Sequence, residues 1–128
     1  MAAHAKKKIL VVDDSLPIMQ TLVLVLRSAG FHAAGESSAA KGLETAKSHQ
    51  PDILLCDVQL DGTTGVALSM EIAKCLPTCR IILMSGDTTA GKILTEAHER
   101  GQDFEVLAKP IPVEELLAAL GPAQPERR

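Results

Sequence analysis

The sequence predicts an α/β domain in which five parallel strands form a sheet that is covered by helices on both faces. Five short apolar runs, each about as long as a strand, alternate with segments whose apolar residues recur at helical spacing. Within these runs polar and apolar side chains do not alternate, which is typical of parallel strands buried on both faces. The 128 residues, of which 46% are hydrophobic, are enough to form one core.

The strands are identified by their apolar runs and by the turn residues that bound them. In chain order they are expected at residues 9–12, 31–35, 53–57, 80–84 and 105–108. The second run is the least apolar and suits an edge of the sheet. The third run ends in Asp57, and the turn-forming pair Asp61 and Gly62 follows it.

The helices are identified by capping residues, prolines and glycines. They are expected to begin at Ser15, at Ser37 or Ser38, at Thr63 or Thr64, near Thr88 and at Pro112, and to end before Gly30, at His49, before Pro77, at Arg100 and before Gly121. Apolar spacing predicts an inward-facing stripe in the first helix (Ile18, Leu22, Val25 or Leu26, and Ala29) and another in the third (Val66, Met70, Ala73 and Leu76). Five successive strand–helix units with right-handed crossovers predict a flavodoxin-like, doubly wound (βα)5 sandwich with the strand order 2-1-3-4-5.

Composition narrows the class of protein. The chain is expected to form one domain over residues 1–122, followed by a polar, flexible tail over residues 123–128 that is too short to fold into a second domain. The net charge of −3 argues against direct binding of nucleic acid, which needs clustered lysine and arginine. No apolar run approaches the roughly 18 residues of a membrane span, and the first run is too short for a signal peptide. The protein is therefore expected to be cytoplasmic, without a membrane partner.

The three cysteines fit a reducing compartment. Cys56 lies within the third apolar run and is expected to be a small core residue. Cys75 and Cys79 are separated by three residues, but no second cysteine or histidine pair accompanies them, which argues against a zinc site.

Polar residues with useful chemistry follow four of the five predicted strands. Asp13 and Asp14 follow the first strand, Asp57 ends the third, Ser85 follows the fourth and Lys109 follows the fifth. Each of them alone could be a helix cap, a turn residue or a solvated side chain. In the strand order 2-1-3-4-5 the third strand lies between the first and the fourth, so the carboxyl ends of these strands bring all five residues to one edge of the sheet.

Three carboxylates in one place repel one another, so they must raise a pKa or bind a cation. Oxygen ligands with room for water and phosphate fit Mg²⁺. Such a site also suits phosphoryl transfer, in which positioning and charge neutralisation provide most of the catalysis. A hydroxyl and an ammonium group would complete the site by binding phosphoryl oxygens.

Four segments together carry a family resemblance: Ile9–Ser15, Asp57 with Gly65 eight residues later, Met84–Gly86 and Ala108–Pro110. In this order and spacing they resemble the receiver domain of two-component response regulators, over about residues 6–121. The resemblance implies that Asp57 is a phosphoacceptor. A histidine kinase or a histidine phosphotransfer protein would supply the phosphoryl group from a phosphohistidine.

The same resemblance implies a magnesium site and a limited chemical role. Asp13 and Asp14 would bind Mg²⁺ together with Asp57 and the backbone carbonyl of Gln59. The domain would then be a signalling module and not an enzyme, since it would assist only its own phosphorylation and dephosphorylation. Gln59 and Asp87 either tune how easily water reaches the acyl phosphate or are only loop residues.

Signal output is expected to depend on two residues that the resemblance assigns to the phosphoryl group. Ser85 would sense it and Lys109 would pair with it, and the loops that carry them would change partner binding on the face of the fourth and fifth helices. A homodimer could form through that face, and the downstream partner is unknown. Receivers usually have an aromatic residue three positions before the lysine, but here Val106 occupies this position and has no ring to swing.

Three other interpretations stay open. The chain could be a receiver module excised from a longer protein, such as a hybrid histidine kinase. It could be a pseudo-receiver that binds partners without being phosphorylated, which Val106 favours and the intact acidic cluster disfavours. A phosphatase with Asp57 as nucleophile would need a second acid two residues later, where Gln59 stands.

Overall fold

The computed structural model describes residues 6–86, 90–101 and 104–124. The strands in this part of the chain are β1 (Lys8–Val12), β2 (His32–Glu36), β3 (Ile53–Asp57), β4 (Gln59–Leu60), β5 (Thr63–Thr64), β6 (Arg80–Ser85) and β7 (Glu105–Ala108). Five of them form one sheet in the order β2-β1-β3-β6-β7, and every neighbouring pair in it is parallel. Counted along the chain, this is the order 2-1-3-4-5, so the predicted doubly wound fold is confirmed.

The helices of the described residues are α1 (Leu16–Ser28), α2 (Ala39–His49), α3 (Gly65–Cys75), α4 (Ala90–Glu99) and α5 (Val113–Leu120). Buried residues of α1 and α5 form a core with one face of the sheet, and those of α2, α3 and α4 form a core with the other face. In β1, Ile9 and Val11 belong to the first core, and Leu10 and Val12 to the second. Both faces of the strand are therefore buried, which explains why its sequence does not alternate. No described helix is long and apolar enough to cross a membrane.

Two of the predicted helix starts are confirmed by capping hydrogen bonds. Ser38 Oγ and Thr64 Oγ1 each accept a hydrogen bond from a backbone N–H in the first turn of their helix, at 3.3 and 3.1 Å. Ser15 occupies the N-cap position of α1, but its side chain makes no capping hydrogen bond. Its backbone N–H instead donates to Asp13 Oδ1 at 2.9 Å, so the start of α1 is tied to the end of β1.

The buried face of α1 agrees with the prediction only in part. The predicted residue Leu26 is fully buried and Leu22 is partly buried, but Met19 and Val23 are buried in place of Ile18, which is 41% exposed. Apolar residues occur on several sides of this helix, so two stripes fit the helical spacing equally well. Packing against the sheet, and not the spacing, selects one of them.

The rotation of α3 also differs from the prediction. Its buried residues are Gly65, Leu68, Ser69 and Ile72, and the four predicted residues (Val66, Met70, Ala73 and Leu76) are only partly buried against the same core. The helix has apolar or small residues at most positions, so its periodicity is weak. The contact of its first residue with β3, described below, sets the rotation instead.

The turn predicted at Asp61 and Gly62 is present, and it closes a short hairpin that the sequence did not indicate. The strands β4 and β5 pair antiparallel on either side of it, and Gly62 has a positive φ of 75°. Leu60, in β4, is buried in the core beneath α2, α3 and α4. The hairpin therefore joins the end of β3 to the start of α3 with an anchored connection.

Two smaller features concern the ends of predicted segments. The edge strand β2 begins one residue later than predicted, and Phe31 lies buried just before it. The flexible tail over residues 123–128 stays a prediction, and residues 125–128 lie outside the described part of the chain. Ala123 packs against the core beneath α1 and α5, and its carbonyl accepts a hydrogen bond from Lys7 N at 2.7 Å.

Candidate functional site

The carboxyl ends of β1, β3, β6 and β7 meet at one edge of the sheet, and the predicted polar residues lie there. The register aligns Val12 with Cys56, one residue before Asp13 and Asp57 respectively. Ser85 ends β6 and is 3% exposed. The parallel topology thus places these side chains side by side, because each ends or directly follows a strand and the strands end at the same level.

Lys109 reaches across this edge to two carboxylates. Its Nζ donates to Asp13 Oδ2 at 2.8 Å and to Asp57 Oδ2 at 3.0 Å. Its backbone N–H donates to the carbonyl of Ser85 at 2.8 Å, which holds the end of β7 beside the end of β6. The side chain of Lys109 thus spans the distance from the last strand of the sheet to both acids.

Two opposing effects act on the pKa of Lys109. Burial lowers its pKa, but the hydrogen bonds and the negative charges of Asp13 and Asp57 together outweigh burial, so the pKa lies above its ordinary value. The side chain is therefore a permanent cation at neutral pH. It compensates part of the negative charge at this edge of the sheet.

Asp13, Asp14 and Asp57 form the acidic cluster of the site. Each offers a carboxylate oxygen that lies within 4.8 Å of those of the other two. Asp13 is fully buried, the side chain of Asp57 is 13% exposed, and Asp14 is exposed. Three carboxylate oxygens, one of them open to water, are the donor set that a hard cation such as Mg²⁺ prefers, and the arrangement fits such an ion.

Backbone groups orient the two buried acids. Besides Lys109, Asp13 accepts from Ser15 N at 2.9 Å, and Asp57 accepts from Gln59 N at 3.1 Å. Both oxygens of each carboxylate thus have a partner on the protein. The two acids are therefore held in fixed orientations.

Gly65 has a structural role at the site that the sequence pattern alone did not reveal. A Cβ atom at this position would overlap the carbonyl oxygen of Asp57. The Gly65 N–H also donates to the carbonyl of Val58 at 2.6 Å. The first turn of α3 therefore lies directly on the backbone that carries Asp57, and only glycine permits this approach.

The remaining predicted site residues have different outcomes. Gln59 is exposed in β4, next to Asp57. Val106 is partly buried against the core beneath α2, α3 and α4. Asp87 lies outside the described residues.

A groove of about 610 Å³ opens beside Lys109, between Pro17 and Leu22 of α1 and Ile111 after β7.

The chain belongs to the response regulator receiver domain family, whose sequence model matches residues 9–121. It is 32% identical over 108 residues to the DNA-binding transcriptional regulator NtrC of Escherichia coli K12, covering 84% of this chain and 23% of that protein. The chain thus spans about a quarter of that relative's length. It is also 27% identical over 115 residues to the chemotaxis protein CheY of Thermotoga maritima, covering 89% of this chain and 94% of CheY.

Solved structures share the fold. The signal receiver domain of an HD domain-containing protein from Pseudomonas fluorescens Pf-5 superimposes with a TM-score of 0.82 at 28% identity, covering 91% of this chain and 92% of that one. A response regulator from Burkholderia pseudomallei, solved with a phosphorylated aspartic acid, a calcium ion and citrate, superimposes with a TM-score of 0.79 at 27% identity. That match covers 90% of this chain and 66% of the other.

Proposed function

We propose that Asp57 accepts a phosphoryl group from the phosphohistidine of a histidine kinase or a histidine phosphotransfer protein. The observation that carries the proposal is the contact of one ammonium group, that of Lys109, with both Asp13 and Asp57. Of the two acids that Lys109 contacts, Asp57 is the one that a phosphoryl donor can approach, because 13% of its side chain is exposed whereas Asp13 is fully buried. The phosphorylated aspartic acid of the Burkholderia pseudomallei relative supports the assignment.

In the proposed reaction a carboxylate oxygen of Asp57 forms a bond to phosphorus while the bond from phosphorus to the histidine nitrogen breaks. The electron pair of the broken bond goes to the imidazole. Asp13, Asp14 and Asp57 would hold Mg²⁺, with the backbone carbonyl of Gln59 as a further ligand, and the ion would neutralise charge on the transferred group. Lys109 would exchange its contact with Asp57 for one with a phosphoryl oxygen.

The proposed output is a change of partner binding. Phosphorylation adds about −1.5 to −2 charges beside Asp57. Ser85 and Lys109 are joined by a backbone hydrogen bond, so a movement of one towards the phosphoryl group moves the loop of the other. These loops lead into the segments before α4 and α5, and the face of these two helices is where a partner, or a second copy of the chain, would bind. Gln59 and Asp87 would tune how long the acyl phosphate survives.

The proposal is tested by incubation with Mg²⁺ and acetyl phosphate, followed by intact-mass measurement. The wild type should gain the mass of one phosphoryl group, and Asp57→Asn should not. Asp61→Asn is the matched control, because Asp61 is an exposed acid in the adjacent turn and lies outside the acidic cluster. It should be phosphorylated like the wild type. Absence of the adduct on folded wild-type protein, or an adduct that persists on Asp57→Asn, would contradict the proposal.

Val106 favours one other function, that of a phosphorylation-independent binding module. Valine cannot make the rotation of an aromatic ring that usually accompanies receiver activation. In that case partner binding by the α4 and α5 face would be equal for the wild type and Asp57→Asn in the presence of acetyl phosphate. A difference between the two proteins would reject this second function.

A further inference from the structure

Two histidines touch at the edge of the sheet opposite to the acidic cluster. His32 is the first residue of β2, and His49 is the last residue of α2. Their ring centroids are 5.3 Å apart and their planes are nearly perpendicular, at 88°. We call this pair the histidine contact. It connects the edge strand of the sheet to the carboxyl end of the helix that packs over it.

The histidine contact fits a neutral His49 better than a charged one. His49 Nε2 is buried, and the described residues provide no hydrogen-bond partner for it. A neutral imidazole carries one N–H, whereas an imidazolium carries two, and both then need acceptors. Protonation of His49 in place would therefore put a positive charge on a ring whose buried Nε2 has no acceptor among the described residues, which is costly.

The charges around His49 are unequal. His32 on β2 and Lys8 on β1 disfavour a positive charge on it, and Asp52, in the connection from α2 to β3, favours one. The carboxylate of Asp52 also accepts a hydrogen bond from Lys8 N at 2.8 Å. The pKa of His49 lies below its ordinary value, because burial has the largest effect and the charges of His32 and Lys8 add to it. Asp52 and a hydrogen bond with the backbone of His32 oppose this lowering only in part.

We propose that the histidine contact is a proton-sensitive connection, which fixes the last turn of α2 to β2 when His49 is neutral and releases it when His49 is protonated. The turn ends at Gln50, which has a left-handed φ of 50°, and Pro51 follows it. The helix therefore stops at this point, because a left-handed residue followed by a proline ends an α-helix. A charged His49 would leave the contact for water and loosen this turn.

The sign of the pH dependence follows from the lowered pKa of His49. The unfolded chain binds a proton at about pH 6.5, and the folded chain binds it only at lower pH. The stability that the contact contributes is therefore complete above about pH 6.5 and is lost as the pH falls below that value. This mechanism is independent of phosphorylation at Asp57, which lies at the other edge of the sheet.

The proposal is tested by NMR of protein labelled with ¹³C in its histidine rings, together with amide hydrogen exchange. In the wild type, His49 should titrate at a lower pH than it does in urea-unfolded protein. Exchange at residues 46–50, corrected for the intrinsic effect of pH, should accelerate over the same titration. In His32→Gln the titration of His49 should shift to higher pH, because the neighbouring ring is lost.

Two variants separate the proposal from general acid destabilisation. His49→Gln cannot be protonated and should lose the acceleration of exchange at residues 46–50. His98→Gln, on α4, is the control and should keep it. The proposal is wrong if His49 titrates alike in folded and unfolded protein, or if the acceleration persists in His49→Gln. If His49→Gln does not fold, the exposed position of His32 keeps His32→Gln as an independent test.

Discussion

Lys109 is the residue on which the charge balance of the site depends. Its ammonium group contacts the fully buried Asp13 and the partly buried Asp57. A buried carboxylate without a cationic partner is expensive, so Lys109 stabilises the fold as well as preparing the site. In the proposed phosphorylated state, Lys109 would pair with a phosphoryl oxygen in place of the Asp57 carboxylate, so its role would change with the charge at Asp57.

Replacing Lys109 by an uncharged residue should show how much its ammonium group contributes to the stability of the fold. Lys109→Met should lower the free energy of unfolding by about 1–3 kcal/mol without divalent cations, because Asp13 loses a charged hydrogen bond. Mg²⁺ should recover part of this loss, since it would supply positive charge to the same carboxylates. Urea unfolding followed by far-UV circular dichroism, with Mg²⁺ or with chelator, measures both effects; the chain has no tryptophan to report by fluorescence.

The exposed Lys74, in the last turn of α3, provides the control. Lys74→Met should change the stability by no more than about 0.5 kcal/mol and should not alter the effect of Mg²⁺. Equal stability of Lys109→Met and the wild type in chelator would show that Asp13 does not need the lysine.

At the scale of elements, the site depends on how closely α3 approaches β3. Gly65 contacts the carbonyl of Asp57, and the hairpin of β4 and β5 fixes the connection between the two elements. Thr64, in the hairpin, also caps α3. The backbone around Asp57 is thus held from three directions: by the sheet, by the hairpin and by the helix.

A methyl group at position 65 should separate these elements. Gly65→Ala should destabilise the protein by about 1–3 kcal/mol, because the overlap is with backbone and cannot be relieved by a side-chain rotation. It should also slow phosphorylation by acetyl phosphate, since Asp57 would be displaced. Thermal or urea unfolding and the rate of the mass increase measure the two effects.

Gly91 offers a matched control within α4. The described structure has nothing within 4 Å of a Cβ placed there, and its φ is not positive. Gly91→Ala should stabilise the protein by about 0.5–1 kcal/mol, because alanine loses less conformational freedom in a helix. Similar losses of stability in both variants would mean that the tight approach of α3 is not what requires glycine.

At the scale of the whole molecule, Arg80 joins three elements at the edge of the sheet away from Asp57. Arg80 is the first residue of β6. Its guanidinium group donates to both carboxylate oxygens of Glu105, the first residue of β7, at 2.6 Å each. It also donates to the carbonyl of Ala119 at the end of α5, at 2.7 Å. The segment that carries Lys109 is therefore fixed at both of its ends.

The ion pair of Arg80 and Glu105 should make the free energy of unfolding weakly dependent on pH in the acidic range. The hydrogen bond from Arg80 holds the pKa of Glu105 below its ordinary value, and burial opposes this only in part. A lowered carboxyl pKa contributes stability above the pKa of the unfolded chain, and this is lost as the pH falls through the folded value. Because the pair is largely exposed, Glu105→Gln should cost no more than about 1 kcal/mol at neutral pH.

Arg80→Met should cost more than Glu105→Gln at neutral pH, since it also leaves carbonyls of α5 without their donor. Urea unfolding between pH 3 and pH 7 compares the two variants with the wild type, about the range over which such a carboxyl group titrates. A larger loss in Glu105→Gln would show that the ion pair, and not the contact with α5, is the main contribution of Arg80.

The fold and the position of the site could be predicted because both depend on strand ends. Strongly apolar runs locate the strands, and in a parallel sheet the residues after them share one edge, whatever the details of packing. That is why Asp13, Asp57 and Lys109 were found together. The resemblance added chemical roles to a geometry that the strand order had already indicated.

What could not be predicted depends on tertiary contacts. The spacing in α1 and α3 allowed more than one buried face, and only packing against the sheet selects Met19 over Ile18. The hairpin follows from burial of Leu60, which local sequence does not show. The histidine contact joins residues 17 positions apart, 32 and 49, on different elements. No periodicity relates two such residues.

The hairpin between β3 and α3 has a consequence for the proposed phosphorylation of Asp57. A carboxylate on a loose loop must be ordered each time it reacts, and the entropy lost then raises the barrier. Here the connection after Asp57 is paired, anchored by Leu60 and capped into α3, so this ordering is completed when the chain folds. A phosphoryl donor then does not need to order the carboxylate through contacts with the surrounding surface. A small molecule should therefore phosphorylate Asp57 without the surface of a partner protein to position it.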